Sequence, residues 1–138
     1  MPRRRIYSHV ELSVRSNACR IIVQTPFWSR DEAMDYVLGL LDERCYDIEN
    51  ITSNTITTIS APVPTGFACE DVFSMKFLFS NSPEGIRVSI TSRWWAYGLS
   101  GAFCNLIFQP DSRYASYYAW NVLEDIADDI PHSYIHYR

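Results

Sequence analysis

The sequence predicts an α+β domain, a two-layer sandwich in which an antiparallel sheet of about five to six strands packs on two helices. Segments with alternating apolar and polar residues outnumber those with helical spacing, and short turns rather than helices connect most of them, which favours antiparallel pairing. The chain has 138 residues, 47% of them apolar, which is enough for one domain. The expected order is β-β-α-β-β-β-β-α in a single domain, residues 1–138, with a flexible N-terminus at residues 1–7.

The N-terminal part of the chain predicts two strands followed by a helix. In residues 10–14 apolar and polar residues alternate, which is typical of a half-buried strand. Residues 19–25 predict a second, more apolar strand. Ser29, followed three residues later by Glu32, matches a capping box, so a helix should begin there and end near Arg44.

The middle of the chain predicts a β-meander. Residues 46–60, rich in Ile and Thr, predict a strand that is interrupted at residues 50–54. Residues 72–80 alternate most cleanly, and the Pro and Gly of residues 82–85 suit a turn, so residues 72–95 should form a hairpin. Its expected apolar face consists of Phe73, Met75, Phe77, Phe79, Ile86, Val88 and Ile90. Its polar face should carry Ser74, Lys76, Arg87, Thr91 and Arg93 towards solvent or a partner.

The C-terminal part predicts one more strand and a long helix. Residues 102–108 are expected to be a strand, and the following helix should be capped by Asp111 or Ser112 and stopped by Pro131. Residues 134–137 form a short tail that can pair with the sheet.

Composition limits the classes of function. Aromatic residues make up 14% of the chain, which excludes disorder. The formal net charge is -4 and the isoelectric point about 5.3, so no nucleic-acid partner is expected. No apolar run is long enough for a transmembrane helix, so no membrane span is expected either.

The cysteines and the N-terminus bear on the cellular compartment. Cys19, Cys45, Cys69 and Cys104 match no zinc-binding spacing, so we expect reduced, mostly buried cysteines, with two disulfides as the alternative. The basic residues 1–5 are not followed by an apolar stretch, which argues against a signal peptide. A cytoplasmic location follows, provided that the chain begins at its native start.

Catalytic and metal-binding patterns are weak. Residues 98–101 resemble a nucleophile elbow, but the second glycine comes one residue too early. His132 and His136 have the spacing of two ligands on one helix face, yet they follow Pro131 in a strand-like segment. We therefore expect no enzyme, no catalytic residue, no metal and no cofactor.

Aromatic and arginine side chains form the most distinctive cluster. In the second strand of the hairpin, Trp94 continues the apolar face, whereas Trp95 continues the polar face with Arg87 and Arg93. An exposed Trp beside Arg is typical of a binding hot spot. The alternative is that another part of the chain or a second subunit covers Trp95.

The last helix supplies a second candidate surface. Tyr117 and Trp120 lie away from its apolar stripe, so one of them should be exposed. Asp125 and Asp129 share a face that suits a cation or a basic partner. The predicted partner-binding residues are Arg87, Arg93, Trp95, Tyr97, Tyr117, Trp120, Asp125 and Asp129.

The order of a strand, a capped helix and a polar meander also carries a resemblance. The residues that carry this resemblance are 46–49, 56–58 and 85–90. Over residues 19–95 the chain resembles small α+β domains of bacterial envelope lipoproteins. The lipid-bearing cysteine near the N-terminus of those proteins is missing. The resemblance implies a non-catalytic assembly or adaptor role.

These observations predict a non-enzymatic protein-binding domain of adaptor, inhibitor or immunity-like character, as in bacterial or phage-encoded inhibitors. Its expected partner is another protein, and the acidic last helix favours a basic partner. Self-association is a further option. The alternative is a small-molecule binder with an aromatic-lined cavity between sheet and helices. An enzyme whose site assembles only in the fold is the third hypothesis.

Overall fold

The computed structural model describes residues 5–96 and 103–138 of the chain. Within them it contains three helices and one antiparallel sheet of eight strands, which confirms the α+β class. The sheet is larger than the predicted five to six strands. The helices are α1 (His9–Arg15), α2 (Arg30–Glu43) and α3 (Ala115–Asp129). The strands are β1 (Arg20–Gln24), β2 (Ile48–Ile51), β3 (Thr55–Thr58), β4 (Ala61–Pro62), β5 (Val72–Ser82), β6 (Gly85–Trp95), β7 (Cys104–Asn105) and β8 (Tyr134–Tyr137).

The long hairpin of β5 and β6 is the centre of the sheet. The spatial order is β2-β3-β5-β6-β1-β8, with β4 pairing with β5 and β7 with β6. Strand β1 therefore lies between β6 and the C-terminal strand β8. The predicted hairpin, its turn and the pairing of the tail are all confirmed.

The prediction of a strand at residues 10–14 is wrong, because this segment is helix α1. Ser8 caps the helix: its hydroxyl accepts from the Glu11 backbone N–H, and the Glu11 carboxylate accepts from the Ser8 backbone N–H. This capping box satisfies two backbone donors at the helix start. Val10 and Val14, which would face the core of a sheet, are exposed instead.

Helix α2 begins where it is predicted. The Ser29 hydroxyl accepts from the Glu32 backbone N–H, and the apolar side of the helix is buried. Helix α3 ends at Asp129, just before Pro131, as expected.

The other end of α3 and the preceding strand differ from their predictions. The residue before the helix is Tyr114, which makes no side-chain cap. Asp111 cannot cap the helix because its carboxylate accepts from the Arg113 backbone and guanidinium. In the described part of residues 102–108, only β7 is strand. The chain then leaves the sheet, and the Phe108 N–H donates to the Ala18 carbonyl.

The main core lies between the helices and one face of the sheet. All seven predicted apolar residues of the β5–β6 hairpin are at most 1% exposed and pack in one cluster with α2 and α3. The interlayer space is filled by large side chains, namely Phe73, Phe77, Phe79, Leu41, Leu123 and Trp120.

The cysteines are free, but the expectation that they are mostly buried is wrong. Cys45, Cys69 and Cys104 are exposed, and Cys19 is half-buried. Cys45 follows the end of α2, Cys69 lies in a loop, Cys104 is on the edge strand β7, and Cys19 directly precedes β1. The prediction that residues 1–7 are flexible stays a prediction: residues 1–4 lie outside the described part, and Arg5 and Tyr7 contact α3.

Candidate functional site

The candidate site is the face of the sheet that points away from the helices, here called the open sheet face. Strand alternation assigns its residues, since their neighbours along each strand are buried in the core. The open sheet face of β1, β5 and β6 consists of Arg20, Ile22, Gln24, Ser74, Lys76, Leu78, Ser80, Arg87, Ser89, Thr91, Arg93 and Trp95. This placement agrees with the predicted polar face of the hairpin. Two of the β1 residues, Ile22 and Gln24, are nevertheless buried.

Charge is segregated between the two layers. The described strands carry four Lys or Arg residues and a single carboxylate, Glu49, which is on strand β2 at the edge of the sheet. Helices α2 and α3 carry five and four carboxylates, and their single basic residue is Arg30. The net charge of -4 therefore hides a cationic sheet face and an acidic helical layer.

Of the predicted hairpin residues, two are available on the open sheet face. Arg93 is exposed, and its Nη2 lies 3.4 Å from the Phe103 carbonyl. Arg87 is half-buried, and its Nε finds no acceptor among the described residues. Trp95 is half-buried and pairs with Val72 at the end of β5. Tyr97 lies outside the described residues.

The expected exposure of Tyr117 or Trp120 is wrong, because both side chains are buried. Trp120 is 0% exposed and packs edge-on against Phe108. Its Nε1 donates to Glu124 over 3.0 Å. The hydroxyl of Tyr117, which is 2% exposed, donates to the Arg5 carbonyl.

Glu124 is the centre of a buried polar cluster. It is 1% exposed and accepts from Arg15 Nε, from Trp120 and from the Tyr7 hydroxyl over 3.0 Å. The Arg15 guanidinium also lies 4.0 Å from the ring centroid of Tyr137 and donates to its hydroxyl over 2.9 Å. Burial, with the Glu124 carboxylate, raises the pKa of both tyrosines above its usual value. Every member is occupied within the chain, so we assign the cluster a structural role.

The acidic end of α3 is paired within the chain as well. Arg5 Nη2 lies 2.7 Å from Asp125 and 2.6 Å from Asp128. Arg44 pairs with Asp129. These contacts occupy the two carboxylates for which a basic partner or a cation was predicted.

The open sheet face also contains a cleft of about 340 Å³. It is called the β5–β6 cleft here, and its polar lining consists of Thr57, Ser74, Lys76, Thr91, Ser92, Arg93 and Asn105. A smaller groove of about 190 Å³ adjoins it and shares Lys76 and Thr91, with Arg20 on its far side. All of these side chains can donate hydrogen bonds, and none is a carboxylate.

Sequence reasoning missed two parts of this arrangement. Arg20 follows from the alternation of β1, since it precedes the buried Ile21 in the strand. The buried pair of Arg15 and Glu124 had no sequence signal, because the two residues are 109 positions apart.

Two structural features, a metal-binding cluster and a membrane-spanning helix, are absent from the described part of the chain. It contains no group of three or more His, Cys, Asp or Glu residues that could hold a metal ion. None of its helices is both long and apolar enough to cross a membrane.

Comparison of the sequence with models of known protein families and with curated proteins finds no match. The resemblance to lipoprotein domains therefore stays a sequence-based prediction.

Proposed function

We propose that this chain is a protein-binding domain that docks an acidic partner protein on its open sheet face. The observation that carries the proposal is a cationic face, not covered by the described helices, on a chain of net negative charge. Complementary charge gives speed and specificity to such an encounter. An adaptor, inhibitor or immunity-like role fits this mode of action and needs no catalytic residue.

The partner's expected charge differs from the one that the sequence favoured. The basic partner was expected at Asp125 and Asp129, but Arg5 and Arg44 already pair with these carboxylates. On the open sheet face, by contrast, Arg20 and Lys76 form no ion pair with any described residue. On this face, Arg20 and Lys76 therefore supply positive charge that no described carboxylate pairs with.

A protein partner fits the open sheet face better than a nucleic acid does. Proteins that bind single strands stack bases on aromatic side chains. The centre of this face carries Ser89, Thr91 and Leu78 instead. The aromatic side chains that alternation places on it lie at its margins, Trp95 at the end of β6 and Tyr134 and His136 on the edge strand β8. Small hydroxyl side chains can hydrogen-bond to the backbone of a protein partner, and aliphatic side chains can pack against its apolar side chains.

Two other hypotheses receive less support. A small-molecule cavity between sheet and helices would need space that the buried aromatic side chains already occupy. Self-association would place the acidic helical layer of one copy on the open sheet face of another. Such a contact joins two different surfaces and continues into a ring or filament, so we favour a different protein as the partner.

The test is affinity capture from the native host with charge-reversed baits. The variant Arg20→Glu/Arg87→Glu reverses the open sheet face, and Arg30→Glu/Arg113→Glu makes the same charge change elsewhere. We expect the wild-type bait and the control bait Arg30→Glu/Arg113→Glu to capture an acidic protein that the Arg20→Glu/Arg87→Glu bait does not capture. All three baits should melt at similar temperatures. Capture of the same proteins by all three baits would refute the proposal. If Arg87→Glu prevents folding, Arg20→Glu is compared with Arg30→Glu.

A further inference from the structure

The β5–β6 cleft and the adjoining groove together bring three cations around one hydroxyl group. On the open sheet face, Thr91 pairs with Arg20 on one side and with Lys76 on the other. Arg93 follows two residues along the same strand and therefore points to the same face. Thr91 is thus the centre of a positively charged site that spans three strands.

The cations lie close to one another with no anion among them. Lys76 and Arg93 are diagonal neighbours across β5 and β6, a relation that places Cα atoms roughly 7–8 Å apart. Two positive charges within reach of each other repel, and an anion between them would relieve that repulsion. No described carboxylate lines the cleft or the adjoining groove, so nothing in the described chain relieves this repulsion.

The remaining polar groups of the cleft are hydrogen-bond donors as well. Thr57 lies opposite Lys76, and Ser74 lies opposite Arg93, which also pairs with Asn105 on β7. The hydroxyl groups of Thr57, Ser74 and Thr91 form no side-chain hydrogen bond with any described residue. The cleft therefore offers cations, hydroxyls and one amide to a ligand that has several acceptor oxygens.

We propose that the β5–β6 cleft binds a phosphate monoester, which Lys76 and Arg93 hold over the Thr91 hydroxyl. A phosphate monoester carries close to two negative charges and three acceptor oxygens, which matches this set of donors. A single carboxylate has two oxygens and one charge and would leave donors unused. The volume of about 340 Å³ accommodates the phosphate together with a small attached group.

A phosphate monoester of this chemistry can come from two sources. It belongs either to a free small molecule or to a phosphorylated side chain of the docked protein. In the second case the inference rests on the proposed function, because the cleft is part of the open sheet face. In the first case it stands without any partner protein.

The test is an NMR titration of the full chain at low salt with two probes, ribose 5-phosphate and N-acetyl-phosphoserine methylamide. We expect saturable shifts confined to the amides around residues 74–76 and 91–93. Thr91→Val and Lys76→Met should each weaken binding about tenfold, since a hydrogen bond to a charged group is worth about that factor. Arg30→Ala is the control and should bind like the wild type. The tighter of the two probes identifies the source of the phosphate.

Thr91→Val keeps all charges, so it separates this site from general attraction to a basic face. Binding that is non-saturable, or that Thr91→Val leaves within about twofold of wild type, would overturn the inference. N-acetyl-glutamate methylamide is the carboxylate control. If it binds as tightly as the phosphoserine probe, the inference of a phosphate site is also overturned. The phosphate probes can bind as expected while the charge-reversed baits still capture the same proteins as the wild type. That result would support the phosphate site and refute the docking proposal.

Discussion

At the scale of single residues, the buried pair of Arg15 and Glu124 shows what sequence patterns cannot reveal. Arg15 lies at the end of a seven-residue helix, and Glu124 lies on the inner side of α3. Read locally, Glu124 belongs to the acidic end of α3, which predicts a solvated side chain. The fold instead brings it to Arg15, Tyr7 and Trp120, which satisfy its carboxylate. Only the three-dimensional contacts show that the Glu124 side chain is buried rather than solvated.

This pair leads to a prediction about stability. Arg15→Ala leaves the buried Glu124 carboxylate with Arg5 Nη1, 3.2 Å away, as its remaining cationic partner. The cost should therefore lie near the lower end of the about 3–5 kcal/mol that breaking a buried pair costs. We expect the free energy of unfolding in urea to fall by that amount. The control is Arg113→Ala, which breaks the exposed pair with Asp111 and should leave stability almost unchanged. Equal effects of the two substitutions would show that the cluster does not contribute to stability.

A second prediction concerns the pKa of Asp111. The side-chain hydrogen bonds from Arg113, with the Arg113 backbone N–H, lower this pKa from 3.8 to about 2. Because the pair is exposed, it adds little stability. Since the folded pKa lies below the unfolded one, that small contribution is present above about pH 4 and is lost as the pH falls towards 2. The carboxyl carbon signal in an NMR titration should show a midpoint near 2, and Arg113→Ala should return it towards 3.8. An unchanged midpoint in the variant would contradict this cause.

At the scale of elements, predictions succeeded where two independent signals agreed. Helix α2 has a cap, acidic residues in its first turn and an apolar stripe, and the β5–β6 hairpin has alternation on both sides of a Pro–Gly turn. The segment at residues 10–14 had alternation alone, over too few residues to separate a strand from one turn of helix. The decisive signal was the capping box of Ser8, just before the segment, with Glu11, in its first turn.

The turn of the β5–β6 hairpin gives a prediction at this scale. Gly85 has φ +125°, and a Cβ there would lie 2.6 Å from the Thr25 carbonyl oxygen and 2.7 Å from that of Phe27. Both atoms are backbone, so neither can move aside easily. Gly85→Ala should lower the free energy of unfolding by about 2 kcal/mol or more.

The matched control for Gly85 is the glycine inside α2. A Cβ at Gly39 meets nothing within 4 Å, and alanine favours the helix. Gly39→Ala should therefore stabilise the fold by about 0.5–1 kcal/mol in the same urea experiment. Destabilisation by both substitutions would indicate that neither effect comes from the local backbone.

At the scale of the whole molecule, composition was misleading because it averages over two unlike surfaces. The net charge of -4, which argued against a nucleic-acid partner, gives no sign of a cationic face, yet the carboxylates gather on the helices and the cations on the strands. Alternation within β5 and β6 already placed Lys76 and Arg93 on one face. What the sequence could not provide was the strand order, which puts Arg20 of β1 next to this hairpin.

Segregation of charge can be tested without knowing any partner. An evenly charged protein with an isoelectric point near 5.3 should not bind a cation exchanger at pH 7. We expect this chain to be retained at low salt through its open sheet face, and to elute by roughly 0.15 M salt, where the Debye length is about 8 Å. Arg20→Ser/Arg87→Ser should abolish retention, whereas Arg30→Ser/Arg113→Ser, with the same net charge, should keep it. Wild-type protein in the flow-through, or equal retention of both variants, would mean that the sheet face has no field strong enough to guide an acidic partner.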